Sequence, residues 1–341
     1  MVTGGWYRHR GSLSQLPSSC DPRDKVESFF LFRIPLRHDT RTAVWFLDRT
    51  GRTGTGFGEA ARTEFFGGLG IRTFYGRTEK TKLLRDGDEI NDPNAREVLV
   101  NVVPVAVVYG ALPKLSLITI VPVVDRSFDR TTGGQRLSET DTGIGDVTLL
   151  AKYRFYKKDA FLKSRQFAVQ FGLKLPTGDD DGRDAQGARL PQPVQLGTGA
   201  VDAPLTLTFT EVRNRLLFSG DVGYTLRTEA NDFEFGDVFN YDLAVKFRFY
   251  PAKFVDSGPF KQHFVFLELN GRASGRARAG GAKLADSGGH ELFVAPGLQL
   301  FLLENVLIEG GVQIPVLQDL NGTQLGTDFN FRAGVRWIMS L

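Results

Sequence analysis

The final stretch, DFNFRAGVRWIMSL (328–341), alternates in chemistry from residue to residue. Phe329, Phe331, Ala333, Val335, Trp337, Met339 and Leu341 fall on one side, and Asp328, Asn330, Arg332, Gly334, Arg336, Ile338 and Ser340 on the other. A period of two is the repeat of a β-strand, whose successive side chains point to opposite faces. One face is almost wholly apolar and the other almost wholly polar. The pattern recurs upstream in FNYDLAVKFRF (239–249) and in DVTLLAKYRF (146–155). Their ends, AKYRFY (151–156) and VKFRFY (245–250), form a weak internal repeat.

Counting such segments predicts strands over 63–77, 97–109, 114–125, 144–157, 165–176, 199–211, 215–228, 237–250, 262–274, 290–302, 306–317 and 327–341. The links between them alternate in length. Short ones cover 110–113, 212–214 and 303–305; long polar ones cover 78–96, 126–143, 177–198 and 275–289. A soluble sandwich has no reason to lengthen every second turn, whereas an outer-membrane barrel has short periplasmic turns and long extracellular loops. In hydrocarbon every backbone N–H and C=O must be paired within the protein, and a closed barrel does so without an edge. The predicted fold is therefore all-β, a single antiparallel transmembrane barrel of about twelve strands. Tyr153, Phe155, Phe247, Phe249, Tyr250 and Trp337 gather near the inner ends of returning strands, where an interfacial girdle belongs. Segments 98–108 and 115–124 are apolar on both faces, which points to a lumen that is partly greasy or plugged.

Composition agrees with this reading and removes other classes. With 39 Gly and 28 Phe but only 2 Met in 341 residues, strands and turns are favoured over helices. A formal charge of +3, from 42 basic and 39 acidic residues, is too small for the broad field of a nucleic-acid binder. No apolar run reaches the length of a membrane-spanning helix, a test to which strands are invisible. Cys20 stands alone, so there is no disulfide framework, and no spaced Cys/His set suggests a metal. Residues 1–62 are Arg-rich and irregular, apart from an apolar patch over 29–34, and read as an extension or a misassigned start; 63–341 form the barrel. The first twenty residues lack the apolar core of a signal peptide, against the export a barrel needs. The ending SSC only faintly resembles a lipoprotein site. The glycines of GRTGTGFG (51–58) have no preceding strand and no following Lys-Ser/Thr, so they read as a linker rather than a phosphate cradle.

The runs YGALPKLSLITIVPVVDR (109–126), GIGDVTLLAKYRFY (143–156), LKLPTGDDD (173–181), LGTGAVDAPLTLTFT (196–210) and GVQIPVLQDLNGTQLGTDFNFRAGVRW (311–337) resemble, in order and spacing, the outer-membrane transporter family named after the MetA pathway of phenol degradation. The resemblance spans roughly 63–341. It implies a Gram-negative outer membrane, lipid and lipopolysaccharide around the wall, delivery by the barrel assembly machinery, and passage of small organic solutes, often hydrophobic or aromatic. It supplies no catalytic residues and no cofactor. The chain ends in Leu341 where the family usually carries an aromatic.

The lumen-facing set is the candidate site: Asp146, Lys152, Arg154, Lys174, Asp202, Asp242, Lys246, Arg248, Glu268, Arg272, Arg332 and Arg336, with Asp221, Asn270, Glu309, Gln313 and Asn330 beside them. Charges of both signs in one lumen either line water as a selectivity filter or pair as a structural network. Arg154, Arg248 and Arg336 fall at similar depths on strands four apart, which predicts a basic ring near the inner mouth. Asp179, Asp180, Asp181 and Asp184 lack the alternating spacing of a calcium loop and read as solvated. His9, His38, His263 and His290 have no Ser or Asp placed to complete a triad, so no enzyme is expected. The sequon at Asn321 reads as a loop turn. The function expected is a passive channel for small organic compounds. The alternatives are a non-transporting structural or partner-binding barrel and a soluble β-sandwich.

Overall fold

The computed structural model describes residues 60–340 except 62, 184–186, 188, 191, 253–260 and 304. The extension expected over 1–62 thus lies outside the described residues apart from Ala60 and Ala61, as do Asp184, His9, His38 and Cys20. Twelve strands among the described residues close into one antiparallel barrel: β1 (Gly68–Lys80), β2 (Glu97–Leu112), β3 (Leu115–Thr132), β4 (Thr148–Ala160), β5 (Lys163–Lys174), β6 (Ala203–Arg213), β7 (Leu216–Leu226), β8 (Val238–Tyr250), β9 (His263–Ser274), β10 (Gly289–Phe301), β11 (Val306–Leu320) and β12 (Phe329–Ser340). Each pairs with its neighbours in sequence, and β12 returns to β1 with Gly68 opposite Ser340.

The outer wall is apolar around its circumference. Leu205, Leu243, Leu267, Ile314 and Val316 are each about half exposed or more. In water so continuous an apolar band would be a severe liability, whereas in hydrocarbon it is the favourable surface. The repeat seen in the sequence has a structural counterpart. In both copies the Lys, Lys152 or Lys246, is buried inside. In both, the register slips just after it, between Tyr153 and Tyr156 and between Arg248 and Tyr250. A bulge adds a residue and re-aims side chains. Phe155 and Tyr156, and likewise Phe249 and Tyr250, therefore both face outward although adjacent.

Two predicted boundaries are corrected. The strand expected from 63 starts at Gly68, because residues 63–67 turn across the inner end of the barrel. There the Ala61 N–H donates to Thr210 Oγ1 of β6 at 3.0 Å, and the Glu64 N–H donates to Ser116 Oγ of β3 at 2.8 Å. Gly110 of β2 permits the turn, since a Cβ there would lie 1.9 Å from the Phe65 carbonyl oxygen. The loop expected over 126–143 is instead a hairpin, β3 running on to Thr132 and pairing with Gln135–Ile144. Cross-strand ion pairs, Arg130 to Glu139 at 3.0 Å and Arg136 to Asp129 at 2.6 Å, hold it without an apolar face.

The other outer loops join in pairs. Strands Lys82–Arg85 and Thr323–Gly326 pair, linking the first outer loop to the last. Phe233–Glu234 pairs with Arg278–Ala279, linking the β7–β8 loop to the β9–β10 loop. The long β5–β6 segment carries a short 3-10 turn, Gln192–Val194, and buries Leu190, Gln192, Gln195 and Leu196.

Candidate functional site

Inside the barrel, the two sides differ in chemistry because the sequences of the strands differ. On β2 and β3 the inward positions are Pro104, Ala106, Val108, Ile118, Ile120 and Val124, so this wall is apolar. On β8 to β12 polar inward positions alternate with buried apolar ones such as Ala244, Phe266, Phe293 and Ala295, and the polar ones bond across the strands in two belts. The upper belt runs from Asp242 to Asn270 (2.6 Å), Asn270 to Gln313 (2.9 Å), Gln313 to Asn330 (2.9 Å) and Asn330 to Thr78 (2.6 Å). The lower belt runs from Lys246 to Gln299 (2.9 Å), Gln299 to Glu309 (2.7 Å), and from Glu309 to Arg72 (3.1 Å) and Arg336 (3.4 Å). Each charge in the lower belt meets an opposite charge or an amide, which is what makes burial of ions tolerable.

Three cavities follow one another along the barrel, and the innermost of them touches the apolar wall. The outermost, about 680 Å³, lies beneath the loops and is lined by Gln192, Phe233, Phe235 and Leu284 above and Lys80, Arg272 and Glu291 below. The last three also line the second cavity, about 450 Å³, whose walls carry the upper belt and Asp221. Arg332 is shared between the second cavity and the innermost one, about 330 Å³, which reaches Ala60 and Glu64 of the crossing segment. A continuous set of lining residues thus connects the outer loops to the inner turn, with charged side chains at each junction.

The predicted site residues divide three ways. Asp242, Arg272 and Arg332 line cavities, as does Lys152 in the innermost one. Lys246, Arg248, Glu268 and Arg336 are buried in the inner half of the polar wall, where Arg336 also reaches the innermost cavity. Asp146, Lys174 and Asp202 instead fasten the β5–β6 segment. Asp146 accepts from Lys174 Nζ (2.7 Å), the Thr198 N–H (3.0 Å) and the Gly178 N–H (3.1 Å), and Lys174 also pairs with Asp202 at 2.8 Å. The three arginines proposed as a ring sit in separate surroundings. Arg336 pairs with Glu309, Arg154 donates to the Pro113 carbonyl at 3.1 Å, and Arg248 is buried beside Arg215, which bonds its backbone.

Other residues entered the site without a sequence signal. Arg72 and Phe74 sit in GLGIRTFYGRTEK, where apolar and polar residues do not alternate cleanly, and Phe74 points inward between Arg72 and Arg332 at 5.3 and 4.3 Å. Lys80, Gln170, Glu291 and Gln299 are single polar residues on inward positions, indistinguishable in sequence from surface polars. His290 lies 2.8 Å from the Tyr241 hydroxyl, while His263 stacks on Tyr250.

Residues 109–314, more than half of the chain and most of the barrel, match the family described as "Putative MetA-pathway of phenol degradation". The chain belongs to this family. Among solved structures, this member of the MetA-pathway family is similar to an outer membrane channel from Pseudomonas putida F1, at 14% identity and a TM-score of 0.64, over 84% of this chain and 100% of that one. It is also similar to the CymD monoaromatic hydrocarbon channel, at 9% identity and a TM-score of 0.40, over 82% of this chain and 89% of that one. The shared architecture rests on the first of these and is that of an outer-membrane barrel. No curated protein matches the chain.

Proposed function

We propose that this barrel lies in the outer membrane of a Gram-negative bacterium and is a passive route for small organic compounds with substantial apolar surface. The observation that carries the reading is the series of three cavities running from the loops to the inner turn, the innermost of them beside the apolar wall of β2 and β3. A purely structural barrel of this width would fill its interior with side chains. Here open space remains both among the residues of the upper belt and, in the innermost cavity, beside the apolar wall. Solute would collect under the outer loops, pass Lys80, Arg272 and Glu291, and reach the innermost cavity. The segment bonded to Thr210 and Ser116 then stands between solute and periplasm and has to shift for exit.

Planar-bilayer conductance of the refolded full chain tests this. Discrete steps, reduced by an added aromatic solute, support a passage. Silence from a barrel shown to be folded by heat-modifiable migration overturns it in favour of a structural barrel.

A further inference from the structure

We infer that a phosphorylated lipid headgroup of the outer leaflet, the lipid A part of lipopolysaccharide, seats in a pocket on the outside of the barrel, at the outer ends of β7, β8 and β9. This rests on the outer-membrane placement proposed above and not on the passage through the lumen. The pocket holds about 490 Å³ and has two unlike parts. Its lower part is Tyr224, Phe239 and Ala273, which stand opposite one another on consecutive strands. Tyr224 and Phe239 are exposed on the outer wall, and the same face continues toward the midplane through Val222 and Leu243. Its upper part is Arg276, Arg278 and Lys283, from the loop that joins β9 to β10. An apolar floor on the lipid side with cations above it matches the order of groups in a membrane amphiphile, acyl chains below and phosphate at the interface.

The local sequence builds the cationic part. RARAGGAK (276–283) turns back through Gly280 and Gly281, at φ of 55° and 77°, the backbone that a two-residue hairpin turn demands. Side chains alternate before the turn, so Ala277 lines the outermost cavity of the lumen while Arg276 and Arg278 line the outer pocket. The register then sets Lys283 directly opposite Arg278. Like charges in that position repel, and the ladder that carries them is too short to compensate. The carboxylates of the pocket are already engaged. Glu234 pairs with Arg278 at 2.9 Å, and Asp237 accepts from the Tyr224 hydroxyl and the Arg227 N–H. That leaves the Arg276 and Lys283 side chains with no hydrogen bond or ion pair among the described residues. A phosphate seated among the three cations supplies the missing counter-charge and accepts from guanidinium and ammonium groups alike. Free phosphate would gain nothing from the aromatic floor, whereas a lipid covers it with acyl chain.

Native mass spectrometry of the refolded full chain in detergent, with bis-phosphorylated lipid A, its dephosphorylated form and inorganic phosphate as probes, tests this. Bis-phosphorylated lipid A should be retained about tenfold more tightly than the dephosphorylated form. Inorganic phosphate at the same concentration should not displace it. Arg276→Gln combined with Lys283→Gln, both exposed loop positions, should lower retention about tenfold. Lys158→Gln, exposed at the inner end of β4, should leave it unchanged. Equal retention of the two lipids, or equal loss in the two sets of variants, overturns the inference, and displacement by inorganic phosphate overturns the lipid as occupant. A folded barrel that conducts yet retains no lipid A sinks this inference alone, whereas a chain that folds in water and never enters vesicles sinks the placement on which it rests.

Discussion

The Glu309 carboxylate lies 3.1 Å from the Arg72 guanidinium and so joins β11 to β1 across β12, the strand that closes the barrel. Its side chain is only 2% exposed and also meets Arg336 and Gln299. Replacing it by Leu removes the buried carboxylate that Arg72 and Arg336 share, a loss of about 3 kcal/mol. Glu309→Leu should therefore lose its heat-modifiable migration at lower temperature or denaturant, and Glu309→Gln, which keeps an acceptor, should lie between it and the parent. Identical unfolding midpoints would show that the belt contributes nothing to closure.

Leu243 and Leu303 are equally exposed, at 61% each, yet occupy different levels of the wall. Leu243 is in the middle of β8 and Leu303 in the short turn after β10. Leu243→Arg should cost about 2–4 kcal/mol, as at a bilayer midplane, and Leu303→Arg about 0–1. Folding titrations in phospholipid vesicles read this difference. Two equal, small costs would mean that the wall faces water.

Asp146 is the common acceptor for Lys174, Thr198 and Gly178, so one side chain fastens the β5–β6 segment to the barrel. Asp146→Ala should remove about 1.5–3 kcal/mol for each charge-assisted bond. The segment should then become accessible to protease, and the unit conductance should rise. Unchanged cleavage and conductance would assign its fastening to Gln195 and Arg126, which also bond there.

The Arg227 backbone N–H at 2.8 Å and the Tyr224 hydroxyl at 2.5 Å hold the Asp237 carboxyl below its usual range. A carboxylate depressed in the folded state adds stability that is fully present above its unfolded pKa of ~3.9 and is lost as pH falls through the folded value. The β7–β8 loop should thus stay fastened at neutral pH and loosen only below about pH 4. Tyr224→Phe removes one donor and should move that loosening to higher pH. Hydrogen exchange at the Arg227 amide follows it, and coincident curves for the two proteins would refute the assignment.

The strands were legible wherever the two faces meet different media. Residues 328–341 and 239–249 show the alternation because one face meets lipid and the other a polar lumen. Where both faces meet similar surroundings the signal fades. Gln135–Ile144 stands in water on both sides and reads as a loop, while Val98–Val108 is apolar on both sides and gives a strand without a facing. The family resemblance reached the right group because its motifs sit at strand ends and loop anchors, Asp146 and Lys174 among them. The chemistry inside was less accessible. Which inward charges line space and which are tied off depends on partners distant in sequence, such as Glu309 with Arg72. The inward turn of Phe74 depends on packing alone.

The apolar wall of the lumen has a cost outside the membrane. Strands β2 and β3 carry apolar residues on both faces over most of Val98–Val124, a run joined by a turn of only two residues. Before insertion, that hairpin has no polar side to show to water, unlike every strand whose inner face is charged. Long stretches of high β-propensity and low charge are those that self-associate. During transit this is the stretch that holdase chaperones would have to cover first, so the chemistry that admits an apolar solute also sets how carefully the unfolded chain must be escorted.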